Sequence, residues 1–228
     1  MIECLLLDLD DTILDFKKSE DFGIRKTLQD AGIEPTDAVC ELYSRINKEF
    51  WKRLELGQVT REQLMVGRFQ QLFEELGVVA DAAGCSAAYM DNMSSVHFFL
   101  PGAEDAVKRL HKKYRLFIVS NGTASAQQRR LASANLYPYF EQVFISQLVG
   151  FNKPDKGFFD RCFAQIPDFH PERALIVGDS LSSDIKGGIC AGIRTCWVNP
   201  AHKTAPEELR PDYEIEALAQ LEALLDAQ

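Results

Sequence analysis

The six cysteines of this chain form no C-x-x-C pair, and none has a histidine close enough for a zinc-binding pattern. Cys4, Cys40, Cys85, Cys162, Cys190 and Cys196 are therefore expected to be buried, reduced thiols. Positive charge is in deficit as well. Twenty-five Lys and Arg face 34 Asp and Glu, a formal net charge of −9. Such a balance argues against a nucleic-acid polymer or an anionic membrane surface as partner, and it obliges any anionic substrate to find a local cation. No stretch approaches the roughly 20 apolar residues of a bilayer span. The first residues carry no basic segment, and Asp8 interrupts the first apolar run, so no signal peptide is expected and the cytoplasm is the expected compartment. No internal repeat or low-complexity stretch stands out.

What is present is ordinary globular material: 228 residues, 46% hydrophobic and 26% charged. That length suits one large domain or a core with an inserted subdomain. Short apolar runs recur at Ile2–Leu7, Leu116–Val119, Val143–Ile145, Leu175–Val177 and Thr195–Val198. Each lacks alternation, the pattern of strands covered on both faces. Helical patterns separate the later runs. Ser125 with Gln128 reads as a capping box, Asp155–Gln165 carries Phe158, Phe159, Cys162 and Phe163 on one face, and Ser182–Cys190 runs to a stop at Gly192. Alternating strands and helices predict an α/β fold with a Rossmann-like parallel sheet.

The stretch 15–98 breaks this rhythm and is too long for an unstructured loop. Val39, Leu42, Tyr43, Ile46, Phe50 and Leu54 form one amphipathic stripe. A capping box at Thr60 and Gln63 opens a second, which ends near Gly77. The expected organisation is a core of residues 1–14 and 99–228 with a helical subdomain, 15–98, inserted after strand one. Phe50, Trp51, Phe69 and Phe73 are expected mostly inside that subdomain.

Strand one ends in a knot of carboxylates, Asp8, Asp10 and Asp11. Two like charges about 4 Å apart repel by roughly 4 kcal/mol at an effective dielectric near 20, so such a knot is either spread into water or neutralised. In an open parallel sheet, ligands bind beyond the carboxyl ends of the strands. Collected there are Asp8, Asp10 and Thr12; then Ser120, Asn121 and Gly122; then Lys153; then Asp179 and Asp184. Singly, each of the polar residues could serve a turn. Together they can hold a hard divalent cation beside a phosphate, which is the composition of a phosphoryl-transfer site.

These residues resemble the four motifs of the haloacid dehalogenase superfamily: D-x-D-x-T at Asp8, Asp10 and Thr12; a strand ending in Ser120; Lys153 before a proline; and G-D-x-x-x-x-D at Gly178, Asp179 and Asp184. The resemblance implies a Mg²⁺-dependent phosphomonoesterase working through an aspartyl-phosphate. Asp8 would be the nucleophile and Asp10 the general acid and base. Asp8, Asp179 and the backbone carbonyl of Asp10 would hold Mg²⁺. Ser120, Asn121, Gly122 and Lys153 would hold the phosphate, with Thr12 and Asp184 behind them. The insert resembles the type-one cap of this superfamily. Its segment 46–77 is similar to the cap of bacterial pyrimidine 5′-nucleotidases, which implies a nucleoside monophosphate substrate and points to Trp51, Arg68 and Phe69 as contacts for it. A sugar phosphate or another small phosphate ester is the alternative substrate, and the motifs leave a mutase open. A phospho-receiver signalling domain is the alternative of another class, disfavoured by the length, by the insert and by D-x-D on strand one.

Overall fold

The computed structural model describes residues 2–227. The chain divides into two compact units: Met1–Phe16 with His97–Gln228, and Lys17–Val96.

The first unit is built on six parallel strands: β1 (Cys4–Leu7), β2 (Arg115–Ser120), β3 (Gln142–Ile145), β4 (Ala174–Gly178), β5 (Arg194–Val198) and β6 (Tyr213–Ile215). Their order is β3-β2-β1-β4-β5-β6, all neighbours parallel. The lack of alternation in the apolar runs is explained by the two faces of the sheet. Leu5 and Leu7 of β1 pack into one cluster with Val107, Leu110, Leu131 and Leu221. Cys4 and Leu6 pack into the other with Phe117, Phe158, Phe159 and Ile176. Both faces exclude water, so both need apolar side chains. The sixth strand is unforeseen by the sequence pattern. It has three residues, of which only Ile215 is buried.

Helices α5 (Ala103–Leu110), α6 (Ala124–Ser133), α8 (Lys156–Phe163), α9 (Lys186–Ala191) and α10 (Leu221–Asp226) cover these faces, with the short α7 (Ser146–Val149) following β3. One local expectation is corrected. The Ser125–Gln128 capping box is not formed: Ser125 already lies inside α6, Thr123 holds the N-cap position, and the Ala124 N–H donates to Gln147 Oε1 at 2.7 Å. The helix expected over Ser182–Cys190 is present: it opens on a π-helical turn, Leu181–Ile185, and continues as α9 to its stop at left-handed Gly192 (φ 72°). The cysteines are all free, but Cys190 is exposed rather than buried.

The second unit comprises α2 (Asp37–Glu55), α3 (Arg61–Leu76), α4 (Ala82–Ser94) and most of α1 (Phe16–Asp30). The Thr60–Gln63 capping box is present, and Gly77 closes α3 at φ 66°. Tyr43, Phe69 and Tyr89 form its aromatic centre, with ring centroids 5.1 to 5.8 Å apart. Beside the rings runs a buried polar chain. Asn47 Nδ2 donates to Glu20 Oε1 (2.6 Å), Ser44 Oγ donates to Glu20 Oε2 (2.6 Å), and Arg68 Nη1 donates to Asn47 Oδ1 (2.8 Å). The Arg68 guanidinium lies 4.7 Å from the Tyr89 ring centroid. Arg68 and Phe69 are 1% and 0% exposed. The expectation that they contact substrate is thereby corrected: both belong to the interior of this unit. Trp51 is half-buried, with Arg61 lying 5.5 Å from its ring. No described helix is long and apolar enough to cross a membrane.

Candidate active site

The strand order reverses direction between β1 and β4, and that switch point is where an open α/β sheet leaves a crevice. Three neighbouring strands deliver polar ends to it. Asp8 follows β1 and its N–H donates to Val177 O of β4 (2.9 Å), Ser120 ends β2, and Asp179 follows β4. The register is tight: Leu7 pairs with Ile118 on one side and Val177 on the other.

Lys153 ties these ends together. Its Nζ donates to Asp8 Oδ1 (2.7 Å), to Asp184 Oδ1 (2.6 Å) and to Val119 O (2.6 Å), which uses all three ammonium protons. Burial works against the lysine charge, but Asp184 and Asp8 outweigh it and hold the ammonium above its ordinary pKa. Asp184 is placed by the Ser180 N–H on its Oδ2 (3.1 Å) and by Gly178, where a Cβ would come within 2.2 Å of that oxygen. Asp179 is held from behind: Trp197 Nε1 donates to its carbonyl at 2.8 Å.

Negative charge remains in excess. Asp8, Asp10, Asp179 and Asp184, with Asp11 near enough to act on Asp179, outnumber the two cations Lys153 and Arg130. Burial pushes the Asp8 carboxyl well up, Lys153 opposes this, and Asp184, Asp179 and Asp10 push it further. Asp179 is pushed up to about 8 by burial and then by Asp184 and Asp11. One oxygen from each of Asp8, Asp179 and Asp184 can be taken within 4.8 Å of the others. That spacing and the surplus of negative charge both suit a hard divalent cation.

The remaining expected residues fall into place unevenly. Asn121 turns its side chain away from any phosphate. Its Nδ2 donates to Lys153 O (2.8 Å) and its Oδ1 accepts from Lys153 N (2.7 Å), so only its main chain is left for an anion. Thr12 is sealed, and its Oγ1 has no hydrogen-bond partner, so it makes no polar link to the cluster. Gly122 matters for what it lacks: a Cβ there would sit 2.3 Å from Gln127 Cγ.

Two residues of the site escaped the sequence pattern. Gln127 and Arg130, both on α6 and both buried, embrace Asp10. Gln127 Nε2 donates to Asp10 Oδ2 (2.7 Å) and to Ser120 Oγ (2.7 Å). Arg130 Nη1 pairs with Asp10 Oδ1 and donates to Gln127 Oε1 (3.0 Å).

Fold and site together define an α/β protein with a cluster of carboxylates at the switch point of a parallel sheet. The family described as haloacid dehalogenase-like hydrolases matches residues 2–192. Pyrimidine 5′-nucleotidase PynA of Streptococcus pneumoniae is 37% identical over 97% of this chain and 94% of its own. Pyrimidine 5′-nucleotidase YjjG of Escherichia coli is 33% identical over 97% of this chain and 96% of its own. The magnesium-bound crystal structure of the HAD-hydrolase YfnB from Bacillus subtilis is 39% identical, covers 99% of both chains and gives a TM-score of 0.94; that structure reveals interdomain movement in YfnB. The present chain belongs to the haloacid dehalogenase-like hydrolases.

Proposed function

We propose that this hydrolase cleaves phosphate monoesters through an aspartyl-phosphate on Asp8, with pyrimidine nucleoside 5′-monophosphates as its substrate class. The observation that carries the chemistry is the Asp8–Lys153–Asp184 arrangement beside Asp179: a nucleophilic carboxylate fixed by a buried lysine within a cluster that still has negative charge in excess. The substrate class rests on the similarity to PynA and YjjG along nearly the whole chain.

The residues divide the work as follows. A free oxygen of Asp8 attacks phosphorus as the bond to the ester oxygen breaks, and Asp10 protonates that leaving oxygen. A water then attacks the phosphorus of the aspartyl-phosphate, Asp10 takes the proton from that water, and the Asp8 carboxylate is released. Lys153 holds Asp8 in line and offsets charge as the phosphoryl group transfers. The Ser120 hydroxyl and the main chain at Asn121 and Gly122 supply donors to the phosphoryl oxygens. Asp8, Asp179 and the backbone carbonyl of Asp10 would hold Mg²⁺, with Asp184 beside them. The cation's contribution is to neutralise charge on the cluster and on the bound phosphate.

The test is a panel of phosphate esters assayed with Mg²⁺ and with EDTA. Uridine and thymidine monophosphates are expected to be turned over with higher kcat/KM than purine monophosphates or sugar phosphates, and EDTA is expected to remove the activity. Undiminished turnover in EDTA overturns the metal assignment. A sugar phosphate preferred over every nucleotide overturns the substrate class and favours the sugar-phosphate alternative.

A further inference from the structure

The embrace of Asp10 by α6 has a geometry that the reaction described above does not require of a bystander. Both carboxylate oxygens of Asp10 are engaged, one by Arg130 and the other by Gln127, and the two partners are bonded to each other. The three side chains form a closed ring. Arg130 is 0% exposed and Gln127 is 2% exposed, so both partners are buried, while the Asp10 side chain they hold stays 29% exposed. Placing a guanidinium there is expensive unless its partner repays it, and Arg130 Nε and Nη2 are buried with no hydrogen-bond partner at all. The charged group it pairs with among the described residues is the Asp10 carboxylate. The fold also makes room for the ring. Gly122 alone allows Gln127 to reach inward, and the Phe16 ring lies 5.8 Å from the Arg130 guanidinium on another side. Through Ser120 Oγ, Gln127 further links Asp10 to the group assigned to hold the phosphate.

We propose that Arg130 and Gln127 are positioning residues for proton transfer: they fix the Asp10 carboxyl group relative to Ser120, and thus relative to the ester oxygen that leaves. The inference rests on the phosphomonoesterase reading and adds the residues that aim its acid. Without them the Asp10 carboxyl group samples rotamers, and a proton delivered from a misaligned carboxyl arrives late in the transition state.

Loss of alignment has a signature that general damage lacks. A poor leaving group, such as the 5′-alkoxide of uridine monophosphate, needs its proton as the P–O bond breaks. The p-nitrophenolate of p-nitrophenyl phosphate hardly needs one. Gln127→Leu and Arg130→Met are therefore expected to lower kcat/KM, which reports transfer to Asp8 and not the shared hydrolysis of the aspartyl-phosphate, in proportion to the basicity of the leaving group across a series of alkyl and aryl phosphates. The loss should be at least about 10-fold larger for the alkyl ester than for p-nitrophenyl phosphate, within the range by which general acids accelerate reactions. Arg130→Lys should restore part of the loss. In an Asp10→Asn background the same substitutions should cost almost nothing further, because residues acting through one group are not additive.

Equal losses of kcat/KM on all esters, or full additivity with Asp10→Asn, would overturn the proposal while leaving the phosphomonoesterase reading intact. A wild-type protein inactive on every ester would instead overturn that reading. Should Arg130→Met fail to fold, Gln127→Leu, which removes only a neutral amide, decides the matter alone.

Discussion

In the inserted unit, Glu20 and Arg68 are buried with one amide between them. Asn47 donates to the acid and accepts from the base, and Ser44 completes the second carboxylate oxygen. One negative charge meets one positive charge. Burial pushes the Glu20 carboxyl up, while the bonds from Ser44 and Asn47 and the charge of Arg68 pull it back. In the core unit, Lys153 stands between Asp8 and Asp184, and Asp179 stands without a cation of its own. Its carboxyl is driven to about 8 and that of Asp8 well above its usual range. Buried charge is thus a poor guide to function when taken alone. Imbalance is the better one. A closed and neutral network fixes a packing arrangement, whereas an open network with surplus charge asks for a cation that the chain does not provide.

The comparison breaks or sharpens under substitution. The largest effect is expected at the surplus. Asp8→Asn should reduce turnover on the order of 10⁴-fold or more, as for loss of a nucleophile elsewhere, and should leave no acid-stable phosphoryl label on the protein. Because the charged form of Asp8 is disfavoured by burial and by three carboxylates, its thermal midpoint in EDTA should not fall below that of the wild type. A variant that is both inactive and clearly less stable would mean that the surplus charge is structural after all.

In the balanced network the order is reversed. Arg68→Met should cost about 3–5 kcal/mol of stability, the usual penalty for stranding one member of a buried pair, measured by urea unfolding. Glu20→Gln combined with Arg68→Met should recover most of that loss. If the double variant is as unstable as the single one, the network is not a neutral pair in the sense argued above.

A smaller effect separates the units by ligand. Mg²⁺ at 100 times its Kd should stabilise the folded core by about 2.7 kcal/mol, read as a rise in thermal midpoint. Asp179→Asn should remove the rise, and Arg68→Met should keep it. A rise that survives in Asp179→Asn would move the cation elsewhere.

Much of the core site was legible because its parts are local in sequence. Asp8, Ser120, Lys153 and Asp179 each sit at or soon after the carboxyl end of a short apolar strand, and the parallel sheet brings such ends to one rim. Gln127 and Arg130 were not legible in that way. They lie within a helix, and they meet Asp10 only because β2 is neighbour to β1 and because Gly122 has no side chain. A trace was available. Gln127 and Arg130 are three residues apart on one helical face directly after the Ser120–Gly122 strand end, but Gln128 competed for attention as a helix cap. In the insert, the amphipathic stripes located the helices but could not tell a solvated arginine from a buried one. Arg68 is inside because it donates to Asn47, which is itself bonded to Glu20, 27 residues earlier in sequence. Strand β6 escaped notice because three residues with one buried side chain leave almost no pattern.

The pair of bonds between the Asn121 side chain and the main chain of Lys153 has a consequence for recombination of this fold. An amide side chain here does the work of a neighbouring strand, so the loop bearing the lysine takes its height above the sheet from a residue 32 positions earlier. A chimera that imports residues 146–155 from a relative keeps the lysine, and keeps its placement only if the imported loop presents its main chain at position 153 to the resident Asn121. The two strand ends therefore work together, and neither loop is a module by itself.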